Sequence, residues 1–564
     1  MQAVYNIAEI CARHGITDVV LSPGSRSAPL TLAFARHPAL TVRVVPDERA
    51  AAFIGLGLAQ AQRRAVALVC TSGTAGVNYA PAVAEAFFQQ IPLVIFTADR
   101  PAEWIDQLDG QTIRQHNLYG AHAKGAFEFP VETSHPDAKW HSARIINEAI
   151  NLAQAAPAGP VQVNVPLREP FYPKAGEEIG YEKDVKIIRE YASPMFIKKG
   201  HSTLLAEINN ANRILVVIGQ QSLDDSLAAL PIFAGKAQAT IVADVISNVN
   251  AQHIANQDIF LAGLSEAKQQ ELRPDLLLTF GKSLISKSLK LFLRKIKPAR
   301  HWHIQAQGEA PDTFRSLTEI IRIEPRDFFQ HAASCDEKSA NTQLDKWRQA
   351  SNRASEFLTK FFVAESSRFN EFVVFRRITV ELGQNTALHL ANSMAVRYAN
   401  ILGIPQGRNI EVFANRGTSG IDGCTSTAVG AALAQPERPV VLLTGDVAFF
   451  YDRNAFWHNY PLPNLRVVLF NNHGGGIFRM IDGPRQLPEL DEFFETHQAL
   501  TAENTAKDFN LRYFPVSSFE ELEAALPVFF AAESGAALLE VFTNSKTNAA
   551  FFEQYRSAVK AAFA

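Results

Sequence analysis

The stretch LLTGDVAFFYDRNAFWHN, residues 442–459, and the stretch RVVLFNNHGGGIF, residues 466–478, decide how the rest of the chain is read. An apolar run from Pro439 to Thr444 stops at Gly445-Asp446, and an amphipathic segment follows. A second apolar run, Leu465 to Phe470, stops at Asn471-Asn472. The pattern predicts one βαβ crossover with polar groups at the carboxyl ends of two parallel strands. Asp446 and Asn472 are 26 residues apart in the chain, yet adjacent strands lie only ~4.8 Å apart, so both side chains can reach one ion. Both offer hard oxygen, and the backbone amides after Gly445 point where a phosphate could bind. Taken singly, Gly-Asp and Asn-Asn are ordinary strand-ending turn residues; the pair at this spacing is the more specific signal.

Outward from this crossover the same alternation recurs. From Asp18, the runs DVVL, TVRVV, AVALVC, LVIFTAD and VQVNVP read as strands separated by helices such as RAAAFIGLGLAQAQ. Continuous apolar strands between amphipathic helices indicate a doubly wound parallel sheet covered on both faces. The first unit ends near Leu167, where REPFYP begins a proline-bearing linker. A second unit covers roughly 202–327, with strands RILVVIG, TIVADV, DLLLTFG and HWHIQ. It contains no G-x-G-x-x-G dinucleotide fingerprint. The polar stretch from His331 to Lys346 reads as a linker leading into an exposed helix. A third unit runs from about Arg368 to the end. Three α/β domains are therefore expected, at 1–175, 195–335 and 360–564. IDGCTSTAVGAALAQ in the third unit resembles TSGTAGVNYAPAVAEAFFQQ in the first, which suggests a weak internal repeat.

Composition narrows the function classes. With 564 residues, 47% hydrophobic and 20% charged, the chain is an ordinary globular protein of several domains. A net charge of −3, with Lys and Arg scattered, offers no field for nucleic acid. The N-terminus reads as a helix and not a signal peptide, and no apolar run is long enough for a membrane span. Cys11, Cys70, Cys335 and Cys424 have no metal-like spacing, which fits a reduced, cytoplasmic protein.

The polar residues at strand ends are the ones that can carry chemistry. Ser25 and Arg26 in SPGSRS, Arg100 in TADRP and Gln111 in DGQTIRQ lie at or just past predicted strand ends in the first unit. Ser393 and Arg397 in NSMAVR and Arg416 in NRGTSG do so in the third, and Lys287 comes from the middle unit. Each alone is a common surface charge; together they face the crevice where open α/β sheets bind ligands. Glu48 falls where a strand hands over to a helix, a place where a carboxylate already gains ~0.3–1 kcal/mol from the helix dipole. HGGG at 473–476 lacks the G-x-S-x-G elbow of a hydrolase, GKS at 281–283 lacks the upstream glycine of a P-loop, and HWH at 301–303 lacks a third ligand for a metal.

The Gly-Asp opening and Asn-Asn close of residues 445–472 resemble the thiamine-diphosphate (ThDP) motif. By that resemblance Asp446, Asn472 and the carbonyl of Gly474 are ligands of Mg²⁺ or Mn²⁺. Ala448 departs from it, standing where a small hydroxyl residue is usual, which leaves backbone contacts to the diphosphate. SPGSRSAPL, PDERAAAFIGLGLA, TSGTA, TADRP, NSMAVR, NRGTSGIDGCTSTA and NNHGGGIF together resemble the 2-succinyl-5-enolpyruvyl-6-hydroxy-3-cyclohexene-1-carboxylate synthase family, the ThDP enzymes of menaquinone synthesis. The match is strongest in the first and third units and loose in the middle one.

The resemblance implies a fold of three doubly wound parallel-sheet domains, of the ThDP decarboxylase and carboligase type. It implies decarboxylation of 2-oxoglutarate and addition of the four-carbon remainder to isochorismate. Glu48 would set its carboxylate against N1′ of the aminopyrimidine. Ser393, Gly445, Asp446, Val447, Asn472, Ile477 and Phe478 would bind the cofactor. Arg397 and Arg416 would hold the distal carboxylate of 2-oxoglutarate, while Ser25, Arg26, Arg100, Gln111 and Lys287 would receive isochorismate. Gly110, ahead of Gln111, stands where a larger residue is usual. The two domains that build one site in such enzymes come from different chains, which implies a homodimer or homotetramer. Two alternatives stay open: another ThDP-dependent 2-oxoacid decarboxylase or carboligase, and a catalytically silent relative.

Overall fold

Asp18 to Leu21, Val66 to Cys70 and Leu93 to Asp99 are buried at every position, the signature of strands with helices on both faces. The computed structural model describes residues 1–173, 178–190, 201–339, 342–532 and 535–564. In it these runs belong to the first of three sheets. That sheet contains β1 (Asp18–Leu21), β2 (Thr41–Val44), β3 (Val66–Cys70), β4 (Leu93–Asp99), β5 (Ala126–Glu128) and β6 (Val161–Pro166). The second contains β7 (Ile214–Ile218), β8 (Thr240–Ala243), β9 (Leu276–Phe280), β10 (Arg300–Ile304) and β11 (Glu319–Ile321). The third contains β12 (Ala387–Leu390), β13 (Glu411–Phe413), β14 (Val440–Gly445), β15 (Leu465–Asn471), β16 (Arg512–Val516) and β17 (Ala537–Phe542). The described ladders are parallel throughout. Three doubly wound α/β domains are thus the architecture.

The outer sheets have one topology. Their orders are β2-β1-β3-β4-β6-β5 and β13-β12-β14-β15-β17-β16, the same permutation of six strands. This corrects the register of the internal repeat. Helix Cys424–Ala434 precedes β14 as helix Glu48–Gln62 precedes β3, so these two are the topological equivalents. TSGTAG follows β3 and corresponds instead to the segment after β14. The likeness in small residues has a packing cause: the two helices cross with almost nothing between them. A Cβ on Gly430 would stand 2.2 Å from the Ile54 carbonyl oxygen, and one on Gly57 would stand 2.1 Å from the carbonyl oxygen of Thr427. Only small residues permit that approach, and it joins the first domain to the third.

Two further expectations meet the structure differently. The helix after the polar stretch 331–346 is exposed on one face only: in helix Thr342–Ala364, Trp347 is fully buried, its Nε1 donates to the Leu272 carbonyl at 3.2 Å, and its ring packs on Phe260 and Phe292. Phe357 and Phe361 reach the C-terminal helix Ser545–Phe563 at Tyr555. The helix therefore straps the second domain to the third, and it runs across the expected start at 360. The expected limits at 175 and 195 lie outside the described residues, as do positions 340–341 of the linker. Among the described residues, no helix is long and apolar enough to cross a membrane.

Candidate active site

β14 and β15 pair in parallel with Gly445 opposite Phe470, so the chain leaves both strands side by side at Asp446 and Asn472. Ser393, Arg397, Arg416, Gly445, Asp446, Val447, Asn472, Gly474, Ile477 and Phe478 line one cavity of about 350 Å³ at this edge. Every wall residue lies between Glu371 and Thr496. Glu48 is not among them, and neither are Ser25, Arg26, Arg100, Gln111 or Lys287.

One part of the cavity wall is suited to a cation. Asp446 is 2% exposed; burial pushes its pKa up to about 6, against hydrogen bonds from Val447 N at 2.8 Å and Gly474 N at 2.7 Å. The Val447 amide, expected to be free for a phosphate, is thus held by Asp446. The Asn472 Nδ2 donates to Glu371 at 3.0 Å, which fixes the amide, while its Oδ1 is buried with no hydrogen-bond partner. An orphaned buried acceptor beside a buried carboxylate is what a divalent cation would satisfy. The glycine loop behind it leaves no room for side chains: a Cβ on Gly474 would meet the Glu495 carbonyl at 2.7 Å, and one on Gly476 would meet the Asn472 amide at 3.1 Å. Among the described residues no group of three or more His, Cys, Asp or Glu could hold a metal. An ion here therefore needs oxygens from a bound group, as a diphosphate provides. These residues fit ThDP with its cation. Ala448 packs against Ala391 and Cys424, so the position that departs from the motif is filled by apolar contact.

The part of the wall that follows β12 and β13 is cationic. Burial and then Arg416 lower the pKa of Arg397, and burial lowers that of Arg416. Arg416 NH1 donates to Asn392 Oδ1 at 2.9 Å, and its Nε is buried without a partner. Two crowded guanidiniums with a donor to spare call for an anion.

The first domain gathers a second group at its own strand ends. Arg26 is 8% exposed, stacks on Phe171 at 4.6 Å, and has its pKa lowered by burial and then by Arg100. Arg100 donates twice to the Gly110 carbonyl and pairs with Asp109 at 2.8 Å. Gly110 thus contributes a backbone contact where a side chain was expected. Gln111 has φ +57° and lies beside Gly73, and Ser25 is exposed. The nearby hydroxyls of Thr71 and Ser72 are buried without partners. Glu48 opens helix Glu48–Gln62 behind the cap Asp47, whose carboxylate accepts from Ala50 N at 3.0 Å. Lys287 opens helix Lys287–Ile296 and lines a neighbouring cavity that also includes Arg397. His301 and His303 both meet Thr279 Oγ1 at 2.9 Å, as satisfied strand residues do.

Three residues of consequence escaped the sequence reading. Glu371, 4% exposed, accepts from Asn472 and from Asn548, and burial lifts its pKa to about 7. Gln498 donates to Asp446 at 3.3 Å. Glu85, from the first domain, accepts from Gly417 N, Thr418 N and Thr418 Oγ1 at 2.7, 2.6 and 2.6 Å, and so sets the loop that carries Arg416. None belongs to a local motif; Glu371 carries the one faint signal, an acid just after a capping Asn370.

Known proteins give the same class. Residues 1–121 match the model of the thiamine pyrophosphate enzyme N-terminal TPP binding domain, 203–390 the middle domain of thiamine pyrophosphate enzymes, and 399–541 the C-terminal TPP binding domain. The crystal structure of benzoylformate decarboxylase from Polynucleobacter necessarius superposes with a TM-score of 0.71 over 97% of this chain and 99% of that one, at 16% identity, a likeness of fold. Fold and site together define a thiamine-diphosphate enzyme. The 2-succinyl-5-enolpyruvyl-6-hydroxy-3-cyclohexene-1-carboxylate synthase of Cytophaga hutchinsonii is 44% identical over 100% of both chains, and that of Flavobacterium johnsoniae is 38% identical over 98% of this chain and 97% of its own. The chain belongs to this synthase family.

Proposed function

We propose that the chain is the transferase of this family, releasing carbon dioxide from 2-oxoglutarate and joining the remaining four-carbon unit to isochorismate. The observation that carries the reading is that one cavity wall holds both Asp446 with the orphaned Asn472 oxygen and the guanidiniums of Arg397 and Arg416. When bound, ThDP supplies a carbon nucleophile at C2 of its thiazolium and a sink for the electrons left by carbon dioxide. Asp446, Asn472 and the Gly474 carbonyl hold Mg²⁺ or Mn²⁺. Gly445 and Ser393 receive the diphosphate, Val447 lines the wall beside them with its amide held by Asp446, and Ile477 and Phe478 pack against cofactor or substrate. Arg397 and Arg416 pair with the distal carboxylate of 2-oxoglutarate, which orients its 2-oxo acid end. Arg26, Arg100, Gln111, Ser25 and Lys287 receive isochorismate.

Glu48 presents its carboxylate to N1′ of the aminopyrimidine and so controls the proton on that nitrogen. Because the cavity wall contains nothing from the first domain of its own chain, Glu48 and the Arg26 group come to it from a second chain. The working unit is a homodimer or a tetramer built from it. Four buried free thiols suit a reducing, cytoplasmic setting.

The test is to mix protein, ThDP, Mg²⁺, 2-oxoglutarate and isochorismate and to identify the product by mass. Formation of 2-succinyl-5-enolpyruvyl-6-hydroxy-3-cyclohexene-1-carboxylate is the expected result; preference for pyruvate over 2-oxoglutarate overturns the reading.

A further inference from the structure

A second cavity, of about 330 Å³, adjoins the first, and Met394, Arg397 and Ile481 belong to the walls of both. Arg397 therefore stands between them. The second cavity is bounded by helix Lys287–Ile296, helix Met394–Leu402 and the C-terminal helix Ser545–Phe563. Its surface is largely aliphatic and aromatic, with Ile401 and Phe552 among the contributors, yet Lys287, Arg397, Arg556 and Lys560 all reach it.

On the wall these four cations face one acid, Asp258. Its Oδ1 accepts from Ser286 Oγ at 2.6 Å and Ser288 N at 3.2 Å, and its Oδ2 from Asn400 at 2.9 Å. It holds the start of the Lys287 helix and offsets part of the charge of Arg397, which leaves the cations in excess on the wall. Arg556 donates to the Met480 carbonyl at 3.1 Å and lies 3.4 Å from Glu553 and 4.0 Å from Asp482, both more exposed than Arg556 itself. Lys287 and Lys560 make no side-chain ion pair among the described residues. Apolar walls lower the local dielectric and focus the field of such charges into the opening.

We propose that this second cavity is an antechamber for small dicarboxylates, which Arg556 and Lys560 gather and which pass Arg397 to enter the cofactor cavity. The identity of the dicarboxylate as 2-oxoglutarate rests on the function proposed above; the anion preference of the chamber does not. Arg556 and Lys560 act on capture and never touch the reacting atoms.

The experiment uses the full chain loaded with ThDP and Mg²⁺, as wild type, Arg556→Gln, Lys560→Gln, the double variant and Arg556→Lys. Steady-state turnover of 2-oxoglutarate is read across ionic strength, and binding of the unreactive dianion glutarate is read by calorimetry. The double variant is expected to lose ~3- to 10-fold in kcat/KM at low ionic strength, to keep kcat, and to show a flatter salt dependence. Arg556→Lys restores the wild-type value. Should loss of the Met480 contact unfold the Arg556 variants, Lys560→Gln alone still reports, with a smaller change of the same sign. An unchanged kcat/KM and salt slope, or a fall in kcat at constant KM, overturns the antechamber. Glutarate binding separates the two readings: if 2-oxoglutarate is not turned over but glutarate binding weakens in the double variant, only the proposed function falls. If turnover is as proposed and glutarate binding is unaltered, only the antechamber falls.

Discussion

Asn454 donates to Asp47 at 2.7 Å across the boundary between the third and first domains of one chain. On the other side of Glu48, Arg49 donates to the Tyr451 carbonyl at 2.7 Å and lies 4.6 Å over the Tyr451 ring. Both neighbours of Glu48 are thus tied to the segment that follows Asp446, while Glu48 itself stays off the wall of that chain's cavity. A carboxylate anchored beside its own cavity, yet not in it, is available to a neighbouring copy.

Complementation tests that arrangement. Glu48→Gln and Asp446→Ala are each expected to lose nearly all turnover, Glu48→Gln while still binding ThDP. Subunit exchange between them should restore about a quarter of wild-type activity, since half the dimers then carry one intact site of two. No recovery after verified exchange would show that both groups serve one site from one chain.

Arg416 is the more enclosed of the two guanidiniums; Glu85 and Asp244 act on it only through their charge, and its Nε is left without a hydrogen-bond partner. Arg416→Ala should raise the KM for 2-oxoglutarate by an amount equivalent to about 2–5 kcal/mol. Glu85→Ala, which removes the clamp on Gly417 and Thr418, should move the same KM in the same direction without direct contact. An unaltered KM in Arg416→Ala would remove its assigned role.

Glu371 orients the Asn472 amide so that Oδ1 is left over. Glu371→Ala frees the amide to rotate, and metal-dependent ThDP affinity is expected to fall ~10- to 100-fold, as when a partner behind a ligand is lost. Asn472→Ala should fall at least as far. Fluorescence titration of ThDP at fixed Mg²⁺ reads both, and wild-type affinity in Asn472→Ala would exclude the cation site.

Asp452 gives a pH signature remote from the cavity wall. Its carboxyl is fully buried and accepts from Ser426 N and Oγ, both at 2.7 Å; burial pushes its pKa up from 3.8 to about 7. The folded state therefore keeps a proton that the unfolded chain gives up, so this group's stabilisation is complete below about pH 4 and lost as pH rises through about 7. Asp452→Asn should show a smaller drop in Tm between about pH 5 and about pH 8 than the wild type does. An equal drop would place the titration elsewhere.

Periodicity and turn chemistry made the strands that end in Gly445 and Asn471 readable, because a strand buried on both faces is apolar throughout. β5, β11, β12 and β16 escaped the same reading: three of them span three or four residues, and β16 mixes exposed and buried positions around Pro515. Asp446 and Asn472 could be found because both belong to turns with a sequence habit. Glu371 and Glu85 could not, since each acts across more than a hundred residues through hydrogen bonds that no local pattern encodes. The cavity's lack of first-domain residues was likewise invisible to spacing. The buried stripe of helix Thr342–Ala364 was hidden because the exposed charged face outweighs, in count, the few positions that include Trp347.

Backbone touching backbone at Gly57 and Gly430 makes that crossing a rivet and not a bearing. Neither helix can roll over the other without driving a carbonyl into an α-carbon, so while they stay packed the first and third domains keep one relative orientation. Traffic must then be handled by side chains and short loops around a stiff frame. In the proposed dimer, a stiff frame would also keep Glu48 of each copy at a set reach from the neighbouring cavity, whatever the solvent does at the rim.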